Sequence, residues 1–463
     1  MKTKFNRFLI VLSLLVLTNL DLEYSSVFGQ GSLAPPGAPG PTMKSLDQIE
    51  ARTPISSLPY TITTPGSYYI TTNLTGIFGA NGININSTPP AENVTIDLNG
   101  FTLTGILGSL NGISTGNNGH NYVIRNGTLR NWGVDGVNSY GSINCRFEKL
   151  QFCNNVNIGL QAGVGSVVTD CEAYSNIMAG VQVLTGDISR CVALNNGVGI
   201  LTLNGCVVSD SEASGNTGDG INCGIGTIVR SSAAYQNGGN GITTSNSCIV
   251  EDCTAYGNAS GIQAGQNSFV KDCVANGNQN GGIQTEDGSI LDDCVATSNT
   301  NNNFDAIGIQ VGNNSTVKNC AASGNGRGIL TINNSIVKDC NVSSNFAAGV
   351  EMGNNSTVDG CCASGNAHYG IYVGASNCQI VGNTCIGNNY YGIELTGGTN
   401  RVDGNNVGWN SYFGINEYEP NVNNNITRNF SPGPGYGNYG GNSDYAPYAT
   451  SPGAATNPWQ NFQ

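Results

Sequence analysis

Glu351, Tyr372 and Glu394 each follow a glycine and a branched apolar residue, in the phrases Gly-Val-Glu, Gly-Ile-Tyr and Gly-Ile-Glu. If these phrases are equivalent places in a stacked repeat, the two carboxylates stand two layers apart. Their Cα separation is then ~9.6 Å, near the upper end of the spacing for an inverting glycosidase pair. Tyr372 lies between them, and His368, one of 2 histidines, is placed to act as a base in a β-elimination. The same region concentrates aromatic side chains: Tyr369, Tyr390, Tyr391 and Tyr412, with Phe346, Trp409 and Phe413. Earlier residues at the phase of the glutamates include Gln182, Gln263, Gln284 and Gln310. Amides, carboxylates and phenols in a row suit the hydroxyls of a sugar polymer, and they also suit a solvated strand face. A separate acidic set, Asp252, Asp272 and Asp293, offers hard oxygen ligands in successive layers, the kind Ca²⁺ takes. Lys271, Lys318 and Lys338 interleave with it, so turn chemistry with solvated ion pairs is the competing account.

What must position these residues is a repeated phrase between residues 145 and 416. IVEDCTAYGNASGIQA, FVKDCVANGNQNGGIQT and IVKDCNVSSNFAAGVEM each read apolar residue, Asp, Cys, small residue, Asn, then Gly with a branched apolar residue. Equivalent small residues run from Cys171 through Cys253, Cys273 and Cys340 to Asn383 and Asn405, at steps of 20 to 22 with one step of 26. An asparagine follows each of them at a fixed offset, as at Asn258, Asn278, Asn325 and Asn345. Leu150 with Asn155, and Asn126 with Asn131, are expected to continue the register towards the N-terminus. A fixed period of this length marks a solenoid.

Within a period the apolar residues alternate in three short runs separated by turns. Runs of two to four residues with period two are not helical. Three short strands per rung, each bonded to the rungs above and below, predict an all-β right-handed parallel β-helix. About fourteen rungs at ~4.8 Å give a length on the order of 70 Å. Asn258, Asn278, Asn325 and Asn345 are then a structural ladder, with Asn tolerating the left-handed turn conformation and its carboxamides bonding along the column. Cys253, Cys273 and Cys340 belong to a buried thiol ladder, because parallel stacked neighbours do not offer disulfide geometry. Cys145, Cys206, Cys248 and Cys378 share a second column with Ser166, Ser268 and Ser289.

The phrase V-x-D-C-x-A-x-G-N-x-x-G-I, over roughly residues 80 to 420, resembles the parallel β-helix repeat of the pectin-lyase-like superfamily. That resemblance implies the fold, and it implies a range of roles from polysaccharide lyases and hydrolases to adhesins, tailspikes and secreted bacterial proteins. The Asp-Asp with Gly-His-Gly set of the polygalacturonase type does not occur here. Nor does an outward Arg and Asp cluster of the pectate lyase type.

The chain opens MKTKFNRFLIVLSLLVLTNL, with three cations before an apolar run too short for the ~20 residues that a bilayer core requires. Residues 1–29 are therefore read as a secretory signal peptide, and the mature protein is expected outside the cytoplasm. Residues 30–42 are a Pro/Gly-rich linker, 43–80 an N-terminal cap, 81–420 the β-helix and 421–463 a Gly/Pro/Tyr-rich tail. A net charge of −13 excludes nucleic acid and anionic lipid as natural partners, and no apolar stretch suits membrane insertion. The function expected is binding of a polysaccharide or cell-surface glycan through Tyr369, Tyr372, Tyr390, Tyr391, Tyr412 and Gln310, without cleavage. The first alternative is a lyase or glycoside hydrolase using Glu351, Glu394 and His368, and the second is a structural or adhesion rod. No cofactor is required on this reading, and Ca²⁺ at Asp252, Asp272 and Asp293 is the one metal the sequence suggests.

Overall fold

The computed structural model describes residues 50–85, 91–300, 305–418 and 423–432, with the backbone of three further strands at Gly437–Gly440, Tyr448–Ala449 and Asn461–Phe462. The expected leader and linker, and most of the tail, lie outside the described residues.

One rung shows how the sequence builds the others. Its first strand is Phe269–Lys271, its second Val274–Asn276 and its third Gly281–Thr285. Val270, Ala275 and Ile283 point inward and are fully buried, while their neighbours alternate outward. Three corners join these runs, and at each a left-handed residue (Asn267, Asp272, Gly277) precedes a small buried one (Ser268, Cys273, Asn278). Each strand pairs in parallel with its equivalents: Phe269 lies against Ile249 and Ile290, Val274 against Thr254 and Val295, Gln284 against Gln263 and Gln310. The core is consequently a set of vertical apolar columns, each rung burying a few branched side chains at ~1.5–3 kcal/mol apiece. No helix appears among the described residues.

The solenoid has about 17 turns instead of fourteen. Residues expected to cap it already pair within it, Thr53–Ile55 with Tyr68–Ile70 and Tyr60–Ile62 with Ile83–Ile85. Their spacing is longer and less regular than the later period, which hides them from a phrase-based count. At the other end Gly437–Gly440 adds to the third-strand column beside Phe413–Glu417.

The asparagine column runs through the protein interior. Asn258 donates its backbone N–H to Asn278 Oδ1 at 2.9 Å, its Nδ2 to the same oxygen at 3.2 Å, and its Nδ2 again to the Ala234 carbonyl at 3.0 Å. Asn278 repeats this with Asn299, and Asn325 with Asn345. One detail differs from expectation. The left-handed residue is the one before each ladder asparagine (Gly257, Gly277, Gly324, Ser344), because the ladder residue needs its own N–H aimed along the axis. For the same reason Asn126 and Asn131 stand one place short of the register: both are left-handed, and Trp132 N–H is the group that reaches Asn155 Oδ1, at 3.1 Å. The glycine of the Gly-Ile phrase follows from the ladder too. A Cβ on Gly261 would lie 2.4 Å from the Gly282 carbonyl and 2.8 Å from Asn278 Nδ2.

All 16 cysteines are free, and Cys362 alone among them is not fully buried. Cys253, Cys273 and Cys340 each donate to the carbonyl two residues back, at 3.1 Å. In the last rungs asparagine takes over this column, with Cys361 N–H on Asn383 Oδ1 at 2.8 Å and Asn383 N–H on Asn405 Oδ1 at 2.8 Å.

Replacing Asn278 by Ala strands two buried donors of Asn258, each costing ~1–3 kcal/mol. The expected loss is about 2–4 kcal/mol in urea unfolding, whereas Asn389→Ala, at an exposed turn, stays within about 0.5 kcal/mol. Thiol titration is expected to find the native protein nearly unreactive and all 16 thiols available after denaturation.

Candidate binding face

The third strand of each rung presents one outward residue, and the register places these in a single file. It runs Gln161, Gln182, Leu201, Asn222, Thr243, Gln263, Gln284, Gln310, Leu330, Glu351, Tyr372, Glu394 and Asn416. Gln161 Nε2 donates to Gln182 Oε1 at 2.9 Å, and Asn240 Nδ2 donates to Gln263 Oε1 at 2.8 Å. A groove of about 370 Å³ lies on this face, lined by Thr243, Gln263, Asn246, Ile225 and Glu286 among others.

Towards the C-terminus the turn leading into the third strand carries two parallel files of rings. Tyr369, Tyr391 and Phe413 stack at 5.8 and 5.7 Å between centroids. Beside them His368 meets Tyr390 edge-on at 5.5 Å and Tyr390 stacks on Tyr412 at 5.1 Å. Tyr372 stacks on Tyr369 at 5.4 Å and its hydroxyl lies 3.3 Å from Thr396 Oγ1. The structure thus gathers all five tyrosines and His368 into one cluster, while Gln310 stays three rungs away in the same outward file. Rings that stack along the column cover one another's faces. What remains for a ligand is their rims and hydroxyls, with Tyr390 and Tyr412 each 42% exposed. Phe346 stands in a neighbouring file of the same turn.

The two glutamates part company. Glu351 forms an ion pair with Arg327, at 3.5 Å and half-exposed to solvent. Glu394 was expected to face outward, and its backbone position does, yet only 3% of the residue is exposed. Burial pushes its carboxyl up to about 7 against the opposing bond from Asn416 Nδ2 at 2.8 Å. Tyr369 and Tyr391 are raised first by their own burial and next by the charge of Glu394, which places both phenols close to it. An outward backbone position is thus not an exposed side chain here. Glu351 and Glu394 therefore share a file without sharing an open groove, and His368 contacts rings instead of either carboxylate.

Asp252, Asp272 and Asp293 all occupy the left-handed corner before the thiol column, with φ of 53°, 50° and 53°. Lys271 Nζ reaches Asp272 at 3.1 Å, and Lys318 Nζ reaches the neighbouring Asp292 at 2.8 Å. Among the described residues no group of three or more His, Cys, Asp or Glu side chains stands where it could hold a metal ion. These corners belong to the first strand, on a different face from the rings.

Residues 270–431 match a protein-family model described as "Right handed beta helix region". That stretch is about a third of the chain, and the described residues fold as a parallel β-helix on both sides of its start. A search of curated proteins gave no significant match to this β-helix. Among solved structures it is similar to the A-module of the Azotobacter vinelandii mannuronan C-5 epimerase AlgE6, at 14% identity over 83% of this chain and 92% of that one, with a TM-score of 0.28. It is also similar to the Dettilon tailspike protein, at 11% identity over 74% and 60% of the two chains, with a TM-score of 0.36. The periplasmic alginate epimerase AlgG matches at 11% identity over 82% and 77%, with a TM-score of 0.25. At such identities and scores none of these likenesses bears on the chemistry of the face.

Arg327, Asn416 and Thr396 are the members of the face that the repeat alone does not single out. Arg327 had a legible signal: it is a lone cation in the turn before Gly-Ile, one rung below Glu351. Asn416 is legible only as the next member of the outward file.

Because its carboxyl is raised by burial, Glu394 keeps its proton in the folded protein over a range where the unfolded chain has lost it. Its contribution to stability is therefore greatest below the ordinary value of 4.5 and declines as pH rises towards about 7. In thermal melts from pH 4 to 8, the stability of the natural protein relative to Glu394→Gln is expected to fall across that window and to level off above it.

Proposed function

We propose that this β-helix protein binds a polysaccharide along its third-strand face, without cleaving it, outside the cytoplasm to which residues 1–29 would direct it. The observation that carries this is the continuity of the outward amide file with the two aromatic files. A hydrogen-bonding side chain on every rung of the file except those of Leu201 and Leu330, at ~4.8 Å per rung, suits a ligand that is itself a linear repeat. Phenols and amides supply the directional donors and acceptors that sugar hydroxyls need. Binding is favoured over turnover because Glu351 is engaged by Arg327 and Glu394 is buried, so these two carboxyls do not flank an open site.

The alternative is a lyase or hydrolase, and the feature in its favour is Glu394, whose raised carboxyl is suited to a general acid if the rings move aside. A glycan array separates the outcomes. Retention of a polysaccharide that Tyr390→Ala with Tyr412→Ala weakens at least about tenfold, a loss of about 1.4 kcal/mol, supports binding through this edge. Reducing ends or unsaturated sugars released from the same glycans, with or without Ca²⁺, and abolished by Glu394→Gln, support the enzyme. Retention that the double substitution leaves unchanged removes the aromatic edge from the account.

A further inference from the structure

Charge is unevenly distributed around the solenoid. Between residues 156 and 418 the sequence holds seven Lys and Arg. Arg230, Lys271, Lys318, Lys338 and Arg401 lie on first strands, and Arg190 at the corner that follows one. Most of the acidic partners are there as well: Asp170 with Arg190 at 2.7 Å, Asp292 with Lys318 at 2.8 Å, Asp403 with Arg401 at 2.6 Å. The seventh cation, Arg327, is the single one on the third-strand face and its two flanking turns among the described residues, and Glu351 engages it at 3.5 Å. The remaining charges on that face are carboxyls. Asp219 is held by Asn240 N–H at 2.8 Å and Asn222 Nδ2 at 2.7 Å, Asp287 receives Asn313 N–H at 2.7 Å, Glu394 is buried, and Glu286 stands exposed at the groove.

Resting on the polysaccharide-binding reading above, we propose that the glycan held by this face is uncharged. A polyuronate or sulfated chain carries an anion on every or every other sugar and is normally held by Arg and Lys through charge-assisted bonds. Here such a chain meets no uncommitted cation along the file from Gln161 to Asn416, and it meets the field of a protein with net charge −13. A cationic amino-sugar polymer fares little better at the aromatic end. Glu351 already has a counter-ion, Glu394 is covered, and the surface is made by the partly exposed rings of Tyr390 and Tyr412 and the amides of the file. Neutral hydroxyls against neutral amides and phenols need no desolvated charge on either side, which avoids the largest cost of burying a polar ligand.

Affinity electrophoresis of the full chain tests this, using gels that contain dextran, laminarin or galactomannan as uncharged probes, alginate and polygalacturonate as anionic ones, and chitosan as a cationic one. The expected result is retardation by at least one uncharged polymer, changing less than about twofold between low and high salt because no exposed charges are paired on binding. Gln263→Lys with Gln284→Lys is expected to create weak, salt-sensitive retention of alginate that the natural chain lacks. Salt-sensitive retardation of the natural chain by alginate, polygalacturonate or chitosan, stronger than by any uncharged polymer, overturns the inference and leaves polysaccharide binding standing. No retardation in any gel overturns both.

Discussion

A carboxamide that can donate twice and accept at one oxygen sits at the same interior corner of rung after rung, and the solenoid depends on it. Each ladder asparagine takes the N–H and Nδ2 of the rung before it on its own Oδ1. Every corner brings polar backbone into an apolar interior, where an unpaired group costs more than a typical paired one contributes. The ladder satisfies those groups without water and without charge. It also dictates sequence around it: the residue before it must turn left-handed, and the glycine of the third strand one rung earlier must leave room for its Nδ2.

With the interior given over to ladders and apolar columns, chemistry is confined to outward files and corners. The protein uses these unevenly. First strands carry mixed charges, paired along the column and culminating at Asp403, which Arg428 and Arg401 hold at about 2, well below the ordinary carboxylate range. Third strands carry amides, and the turn before them carries rings in the C-terminal rungs. The same backbone geometry thus supports a charged side and a nearly neutral one, and the difference is made entirely by which alternate residues are Lys and Asp and which are Gln and Tyr.

The fold was legible because its period is short and its constraints recur. A twelvefold asparagine at fixed offset is not produced by composition, and the alternation within each rung separated the inward apolar columns from the outward files. The first rungs were less legible, since longer loops between Thr53 and Trp132 break the period while the strands still pair in register. At the face, sequence placed Glu351, Tyr372 and Glu394 in one file, which the register bears out. It could not show that Glu394 is covered, because that depends on the side chains that surround it in three dimensions. Side-chain reach across rungs is a tertiary property, and period-two alternation reports only the direction in which a residue leaves the backbone.

Each rung finds its hydrogen-bonding partners in neighbours of the same kind, so a rung can be gained or lost by an in-frame change of 20 to 22 residues without any new complementary surface. The length of the third-strand face is then quantised. It grows or shrinks in steps of ~4.8 Å, each adding or removing one outward side chain from the file. A lineage built this way can match ligands of different length by copying, and can match ligands of different chemistry by changing one residue per copy.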